Sequence, residues 1–282
     1  TYLNVLGIYT NTTQVDAYRG AGRPEAIYLL ERIMDRAARE LNIDPLELRR
    51  INFIKKESFP YRSSTGEMID VGDFDRVLTA AEISANIKGI EQRKKESEAK
   101  GRLRGLGLCY YIESILGDPS EEAKEVFEED GSVKIFVGTQ SNGQGHETVF
   151  AQFLSDQTGI PTEKIIVVQG DSDLIPRGGG TGGSRSVTVQ NNATLATVEK
   201  IIQSFSQYLS EKLEVDVEDI GFDDTSFRIK GSNYSPNVLE VAKMACEDHR
   251  FDLLKHAAKA TLDARSFPNG AHFAEVEVDP ET

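Results

Sequence analysis

The chain has 282 residues, enough for one large or two ordinary domains, and its 39% hydrophobic and 28% charged residues exclude intrinsic disorder. A net charge of −14 excludes the basic footprint of a general nucleic-acid binder, and no apolar run reaches the roughly 18 residues of a membrane span. The opening residues carry no secretory pattern, so the two cysteines, Cys109 and Cys246, far apart and without metal-ligand spacing, read as buried free thiols in a cytoplasmic protein.

Residues 2–18 alternate enough to predict one or two strands, which end at a glycine-rich loop over 17–26 (AYRGAGRPEA). Pro24 then suits a first helical position, and Ala26, Leu29, Leu30, Ile33, Met34, Ala37, Ala38 and Leu41 recur at helical spacing. Asp44 and Pro45 predict the cap and first residue of a short second helix, PLELRRINFI. Pro60, Gly66 and Gly72 mark an irregular stretch. A long helix is predicted from about Asp73 to Lys100, with its charged second half (EQRKKESEAKGR) read as a solvated end and linker. A domain break is therefore placed near Lys100–Arg104, dividing the chain into 1–100 and 101–282.

Beyond that break, GLGLCYYIESI predicts a buried strand, followed by an acidic loop. The acidic stretches Glu121–Asp130 and Asp216–Asp224 read as solvation of exposed faces. Glu129, Asp130 and Gly131 make a hairpin turn between two strands. A second glycine loop, 138–148 (GTQSNGQGHET), leads into a helix stopped by Gly159. KIIVVQGD is an apolar strand feeding a third loop, 170–186 (GDSDLIPRGGGTGGSRS), and a long helix from near Ser184 to about Leu213. SFRIKGSNYS predicts a strand, NVLEVAKMACE a helix and HFAEVEV a final strand. Strand–helix alternation mixed with hairpins makes the fold class α+β, mixed sheets with helices packed on them.

Glycine-rich turns at helix starts expose backbone N–H groups to an anion. The first loop has neither a Rossmann fingerprint nor a P-loop, and alone it reads as a tight turn; Arg19 and Arg23 tilt it toward anion binding, as Arg177 and Arg185 do for the third loop. The second loop groups Gln140, Asn142, Gln144, His146 and Thr148, and amides suit the edge of a flat heterocycle. The third loop, with five glycines within 178–183 and the hydroxyls of Thr181, Ser184 and Ser186, reads as an anion cradle. Asp171 and Asp173 read as an Asx turn at a strand end. No nucleophile–base pair and no zinc spacing among the four histidines emerges.

Taken in this order, the three loops resemble the molybdenum-cofactor-binding large subunits of the xanthine dehydrogenase/aldehyde oxidase family, carbon monoxide dehydrogenase large subunits among them. The resemblance implies a molybdopterin-binding region of two similar halves, this sequence holding the end of the first half (1–100) and most of the second (101–282). It implies molybdopterin cytosine dinucleotide as the cofactor. Gln144, Gly145, His146 and Thr148 would hold the pterin, and Thr181, Gly182, Gly183, Ser184, Arg185 and Ser186 the dinucleotide phosphates. Ala17, Tyr18, Arg19 and Gly20 would line the metal pocket, with no residue here ligating the metal directly.

The same resemblance implies partner subunits that carry FAD and 2Fe-2S clusters, a medium and a small subunit, in a dimer of heterotrimers. Carbon monoxide dehydrogenases carry a copper-binding cysteine in the arginine loop; here Tyr18-Arg19-Gly20-Ala21-Gly22-Arg23 has none, so an aldehyde or N-heterocycle is the expected substrate. The family's catalytic glutamate, in a Gly-Glu-Gly segment, is not in this sequence, which reads as an excerpt expected to be inactive alone. The competing readings are a non-catalytic phosphate- or nucleotide-binding module and a subunit-contact domain whose glycines serve close packing.

Overall fold

The computed structural model describes residues 4–14 and 16–281. The chain forms two compact units, one of residues 1–113 with 269–282, the other of residues 114–268. The break expected at 100–104 is therefore displaced. Strand β3 (Leu103–Ile112), which the sequence places after the break, is laddered antiparallel along its whole length with β10 (Asn269–Val278), so the end of the sequence returns to the first unit. Long-range pairing of this kind leaves no trace in local composition.

In the first unit, α1 (Arg23–Leu41) and α2 (Pro45–Asn52) form as expected, and Asp44 Oδ1 accepts from the Leu46 and Glu47 amides at 2.8 and 3.0 Å. The face α1 buries is unexpected: Glu31 and Ala38 are covered, while Leu29, Leu30, Ile33 and Leu41 stay exposed. Glu31 is drawn inward by Arg49 of α2, whose Nε donates at 2.9 Å, and by the Tyr110 amide of β3 at 2.8 Å. A short hairpin, β1 (Tyr61–Arg62) and β2 (Met68–Ile69), fills the irregular stretch.

The predicted long helix is two helices, α3 (Phe74–Ser84) and α4 (Ile90–Glu98), broken where Asn86 adopts a left-handed φ of 47°. Its charge run is more than solvation. Arg93 binds Glu275 at 2.7 Å, and Arg104 of β3 reaches Glu275 and Glu277 at 2.6 Å each. Arg93 first and then Arg104 hold the Glu275 carboxyl down to about 2. Among the described residues of 2–18 no strand forms: Val5, Leu6, Ile8 and Tyr9 are exposed and no strand pairs with them. Tyr2, Leu3 and Val15 of that expectation lie outside the described residues.

The second unit is one mixed sheet of order β6-β5-β4-β9, made of β4 (Ser120–Phe127), β5 (Val133–Val137), β6 (Ile165–Val168) and β9 (Lys255–Thr261). β4 is antiparallel to both β5 and β9, whereas β5 and β6 run parallel, joined through α5 (His146–Thr158). Helix α6 (Ser186–Leu213) packs on the sheet, with α7 (Val238–Glu247) and a small hairpin, β7 (Ile220–Phe222) and β8 (Phe227–Ile229), completing the unit. The core gathers Phe127, Ile135, Phe150, Ile201, Phe205 and Phe227.

β4 corrects the expected acidic loop. SEEAKEVF alternates with period two, so Glu121, Ala123, Glu125 and Phe127 all face inward and are buried. β9 had no prediction, and its Lys- and Ala-rich sequence is held as a strand by its pairing with β4. Cys109 and Cys246 are free and half-buried, and burial pushes the Cys109 thiol up. No helix among the described residues is long and apolar enough to cross a membrane.

Candidate functional site

The second and third glycine loops leave the carboxyl ends of two neighbouring parallel strands, β5 and β6, and each opens onto a helix, α5 and α6. Parallel pairing sends both strands the same way, so both loops and both helix N-termini lie at one end of the sheet. In an open sheet that end is where ligands collect, because orphan N–H groups and positive helix ends converge there.

The loops are tied to each other. The Gln140 amide donates to Thr181 Oγ1 at 3.0 Å, and the Thr181 hydroxyl donates back to the Gln140 carbonyl at 2.6 Å. The Gly180 amide donates to the Gly138 carbonyl at 3.1 Å. Side chains from the framework complete the tie. Gln190 of α6 accepts from the Gly138 amide at 3.1 Å and donates to the Glu122 carbonyl at 3.3 Å. Gln169, directly after β6, accepts from the Ser141 amide at 2.9 Å and donates to Glu147.

The glycines divide into two kinds. A Cβ on Gly178 would lie 2.3 Å from the Gly138 oxygen, and one on Gly138 would lie 2.4 Å from Glu121 Oε1. One on Gly179 would meet the Arg185 guanidinium at 2.5 Å, and one on Gly183 the Leu116 oxygen at 2.6 Å. These glycines serve close packing, which accounts for part of the density first read as an anion cradle. Gly143, Gly145 and Gly180 instead hold positive φ of 109°, 78° and 67° with open space where a side chain would stand.

Of the residues expected to hold the pterin, Gln144 is half-buried and accepts from the Asn142 amide at 2.5 Å. Gly145 caps α5 in the left-handed region, and the Thr148 amide donates to the Gly145 carbonyl at 3.1 Å. His146 is not a bystander on a helix surface: it is 1% exposed, tilted against Phe150 at 5.0 Å, and its Nδ1 has no hydrogen-bond partner among the described residues. Thr139 Oγ1, buried in the same loop, is likewise unpartnered. Buried polar atoms without partners are rare in folded proteins, and each calls for a partner such as a water, an ion or a ligand group.

In the third loop Thr181 and Gly183 are half-buried, Gly182 and Ser184 exposed, and the buried Ser186 hydroxyl lies 3.4 Å from Thr181 Oγ1. Arg185 departs from expectation. It is 2% exposed and its Nε, Nη1 and Nη2 all donate to protein oxygens, so it does not add to a positive surface. Arg23 is likewise paired, with Glu113 at 2.9 Å, which leaves Arg19 and Arg177 exposed and without an ionic partner among the described residues. Asp171 Oδ1 accepts from the Asp173 amide at 2.9 Å, the Asx turn expected there.

The first loop lies in the first unit. Tyr18 and Arg19 are exposed, Gly20 has φ 105°, and the Arg23 amide donates to the Gly20 carbonyl at 3.0 Å, closing the turn into α1. Sequence reasoning missed Glu121, Gln169 and Gln190 as parts of the site. The period-two alternation of SEEAKEVF carried the signal for Glu121; nothing local distinguished the two glutamines.

Family models described as molybdopterin cofactor-binding domain match residues 80–282 and 1–53. The chain is 30% identical to the carbon monoxide dehydrogenase large chain of Afipia carboxidovorans over 304 aligned positions, covering 100% of this chain and 38% of that protein. It is 31% identical to the nicotine 6-hydroxylase large subunit of Paenarthrobacter nicotinovorans, covering 98% and 36%. Among solved structures, a Cu,Mo-CO dehydrogenase superposes with a TM-score of 0.78 at 29% identity, covering 90% of this chain and 35% of that one. Quinoline 2-oxidoreductase from Pseudomonas putida 86 superposes with a TM-score of 0.79 at 27% identity, covering 93% and 36%. The chain thus spans little more than a third of the length of these relatives.

Proposed function

The chain belongs to the molybdopterin cofactor-binding family of molybdenum hydroxylase large subunits, and from that premise we propose that its second unit holds a molybdopterin cytosine dinucleotide between the loops of 138–148 and 178–186. The observation that carries this reading is the pairing of two cross-tied glycine loops at one end of a parallel strand pair, with His146 Nδ1 and Thr139 Oγ1 buried and unpartnered beside them. These residues fit the group. Gln144 offers an amide edge to the pterin, and Gly145, His146 and Thr148 offer the start of α5. Thr181, Gly182, Gly183, Ser184 and Ser186 offer hydroxyls and backbone donors to phosphate at the start of α6, with Arg177 in the same loop as an exposed cation.

When bound, the cofactor supplies two-electron oxidation of an electrophilic carbon with oxygen taken from water. The residues of this chain would bind and orient it, and the Gly180–Gly138 and Gln140–Thr181 hydrogen bonds hold the two loops together. Tyr18, Arg19 and Gly20 would line the metal pocket. The absence of a cysteine in that loop favours an aldehyde or N-heterocycle over carbon monoxide. In the parent enzyme, 2Fe-2S clusters and FAD on a small and a medium subunit would take up the electrons, in a cytoplasmic dimer of heterotrimers.

The test is metal analysis and pterin extraction on the full-length protein, followed by turnover with aldehydes, N-heterocycles and carbon monoxide. Stoichiometric molybdenum with a cytosine dinucleotide and hydroxylation of an organic substrate are expected. A protein without pterin would overturn the reading, and carbon monoxide as the preferred substrate would overturn its substrate clause.

A further inference from the structure

Arg185 stands at the N-terminal boundary of α6, where a cation is disfavoured by the helix dipole, and it is buried there. Its Nε donates to the Asp118 carbonyl at 2.8 Å and its Nη2 to the Ser120 carbonyl at 2.7 Å. Its Nη1 donates to the Gly180 carbonyl at 2.9 Å and to Glu121 Oε2 at 3.0 Å. Four of the five guanidinium N–H directions are thereby accounted for within the protein.

Glu121 is as deeply placed: the two side chains are 2% and 3% exposed. The same Oε2 accepts from the Gly179 amide at 2.9 Å, and Oε1 from the Glu122 amide at 3.2 Å. The glycines around the pair are those whose missing side chains make room for it. A Cβ on Gly179 would strike the guanidinium and one on Gly138 the Glu121 carboxylate. Charge and space close on themselves, and at most one Nη2 N–H of Arg185 is left over for an anionic ligand.

We propose that Glu121 and Arg185 form a buried clamp that positions the two glycine loops for the cofactor, and that Arg185 is a positioning residue rather than a phosphate contact. The clamp rests on geometry alone; its consequence for cofactor retention rests on the reading above. Through Gly179 and Gly180 the clamp holds the third loop, and through the Gly180 amide, which donates to the Gly138 carbonyl, it reaches the second. It also anchors the start of β4 to the start of α6, so loop spacing is set before any ligand arrives.

The test uses the full-length protein prepared without cofactor, as wild type, Glu121→Gln, Arg185→Met, the double variant and Arg185→Lys. Amide exchange is followed at Gly179, Gly180 and Gln140, against Ile135 and Phe136 in β5. The clamp predicts exchange at the loop amides faster by about tenfold or more in each single variant, unchanged β5 amides, and a double variant less affected than the product of the singles. Arg185→Lys, which keeps the charge but loses the fork, falls between wild type and Arg185→Met and serves if the larger changes prevent folding.

Loop exchange equal to wild type in every cofactor-free variant, with loss only of cofactor binding, would make Arg185 a ligand contact and overturn the clamp. Loosened loops with undiminished molybdenum and pterin content in the loaded variants would leave the clamp standing and overturn the assignment of these loops to the cofactor.

Discussion

Thr181 and Gln140 hold each other reciprocally, the Gln140 amide donating to the threonine hydroxyl at 3.0 Å and that hydroxyl donating to the Gln140 carbonyl at 2.6 Å. One side chain thus couples the loop after β5 to the loop after β6. Thr181→Val keeps the shape and removes both bonds, and is expected to cost about 1–2 kcal/mol. Thr181→Ser should retain most of that. Chemical denaturation of the two variants checks this; equal stability of Val and wild type would show that the tie is dispensable.

The two kinds of glycine separate by substitution. Gly178→Ala puts a methyl 2.3 Å from the Gly138 oxygen and should destabilise by about 2–3 kcal/mol, since backbone stands in the way and neither loop can retreat. Gly182→Ala meets nothing within 4 Å at an ordinary φ and should be nearly neutral for stability. Comparable melting temperatures for the two variants would contradict the packing role.

In the first unit, Arg49 and Glu31 are a buried pair whose carboxylate also receives the Tyr110 amide. Arg49→Ala leaves Glu31 without its cation and is expected to cost about 3–5 kcal/mol. Amide exchange should rise in α1, α2 and β3, and an unchanged Tyr110 amide would contradict the arrangement.

Glu125 lies in the core with Oε1 unpartnered among the described residues, and burial pushes its carboxyl up to about 8. A folded-state value above the ordinary 4.5 means that the folded chain binds the extra proton. That contribution is complete below about pH 4.5 and is lost as pH rises toward 8. His256, its cross-strand partner, acts in the opposite sense. Burial lowers its imidazole below 6.5, so its contribution is lost on acidification below that value. The difference in stability between wild type and Glu125→Gln isolates the carboxyl: wild type should lose ground steadily from pH 5 to 8 relative to the variant. A pH-independent difference would place Glu125 in contact with water or a cation.

Local chemistry made α2, α5 and α6 readable, since Asp44 caps one helix, Gly159 stops the next, and a long apolar period runs from Val187 to Leu209. The turns and helix starts of the second and third glycine loops were readable for the same reason: they are short-range. What escaped depends on distant partners. Glu121 and Glu125 look like solvating charge until β4 is paired on both edges, and Arg185 looks like an anion contact until Glu121 stands opposite it. The strand expected over 2–18 has alternation but no paired neighbour among the described residues, and the break at Asn86 turns on one left-handed residue inside an otherwise helical pattern.

The most direct measurement of the central claim is amide hydrogen exchange on the full-length protein, compared with and without its molybdenum cofactor. The account predicts that cofactor protects residues 139–148 and 179–186 and leaves α7 and the β7–β8 hairpin unchanged. Protection absent from both loops, in a protein that retains molybdenum and pterin, would contradict it.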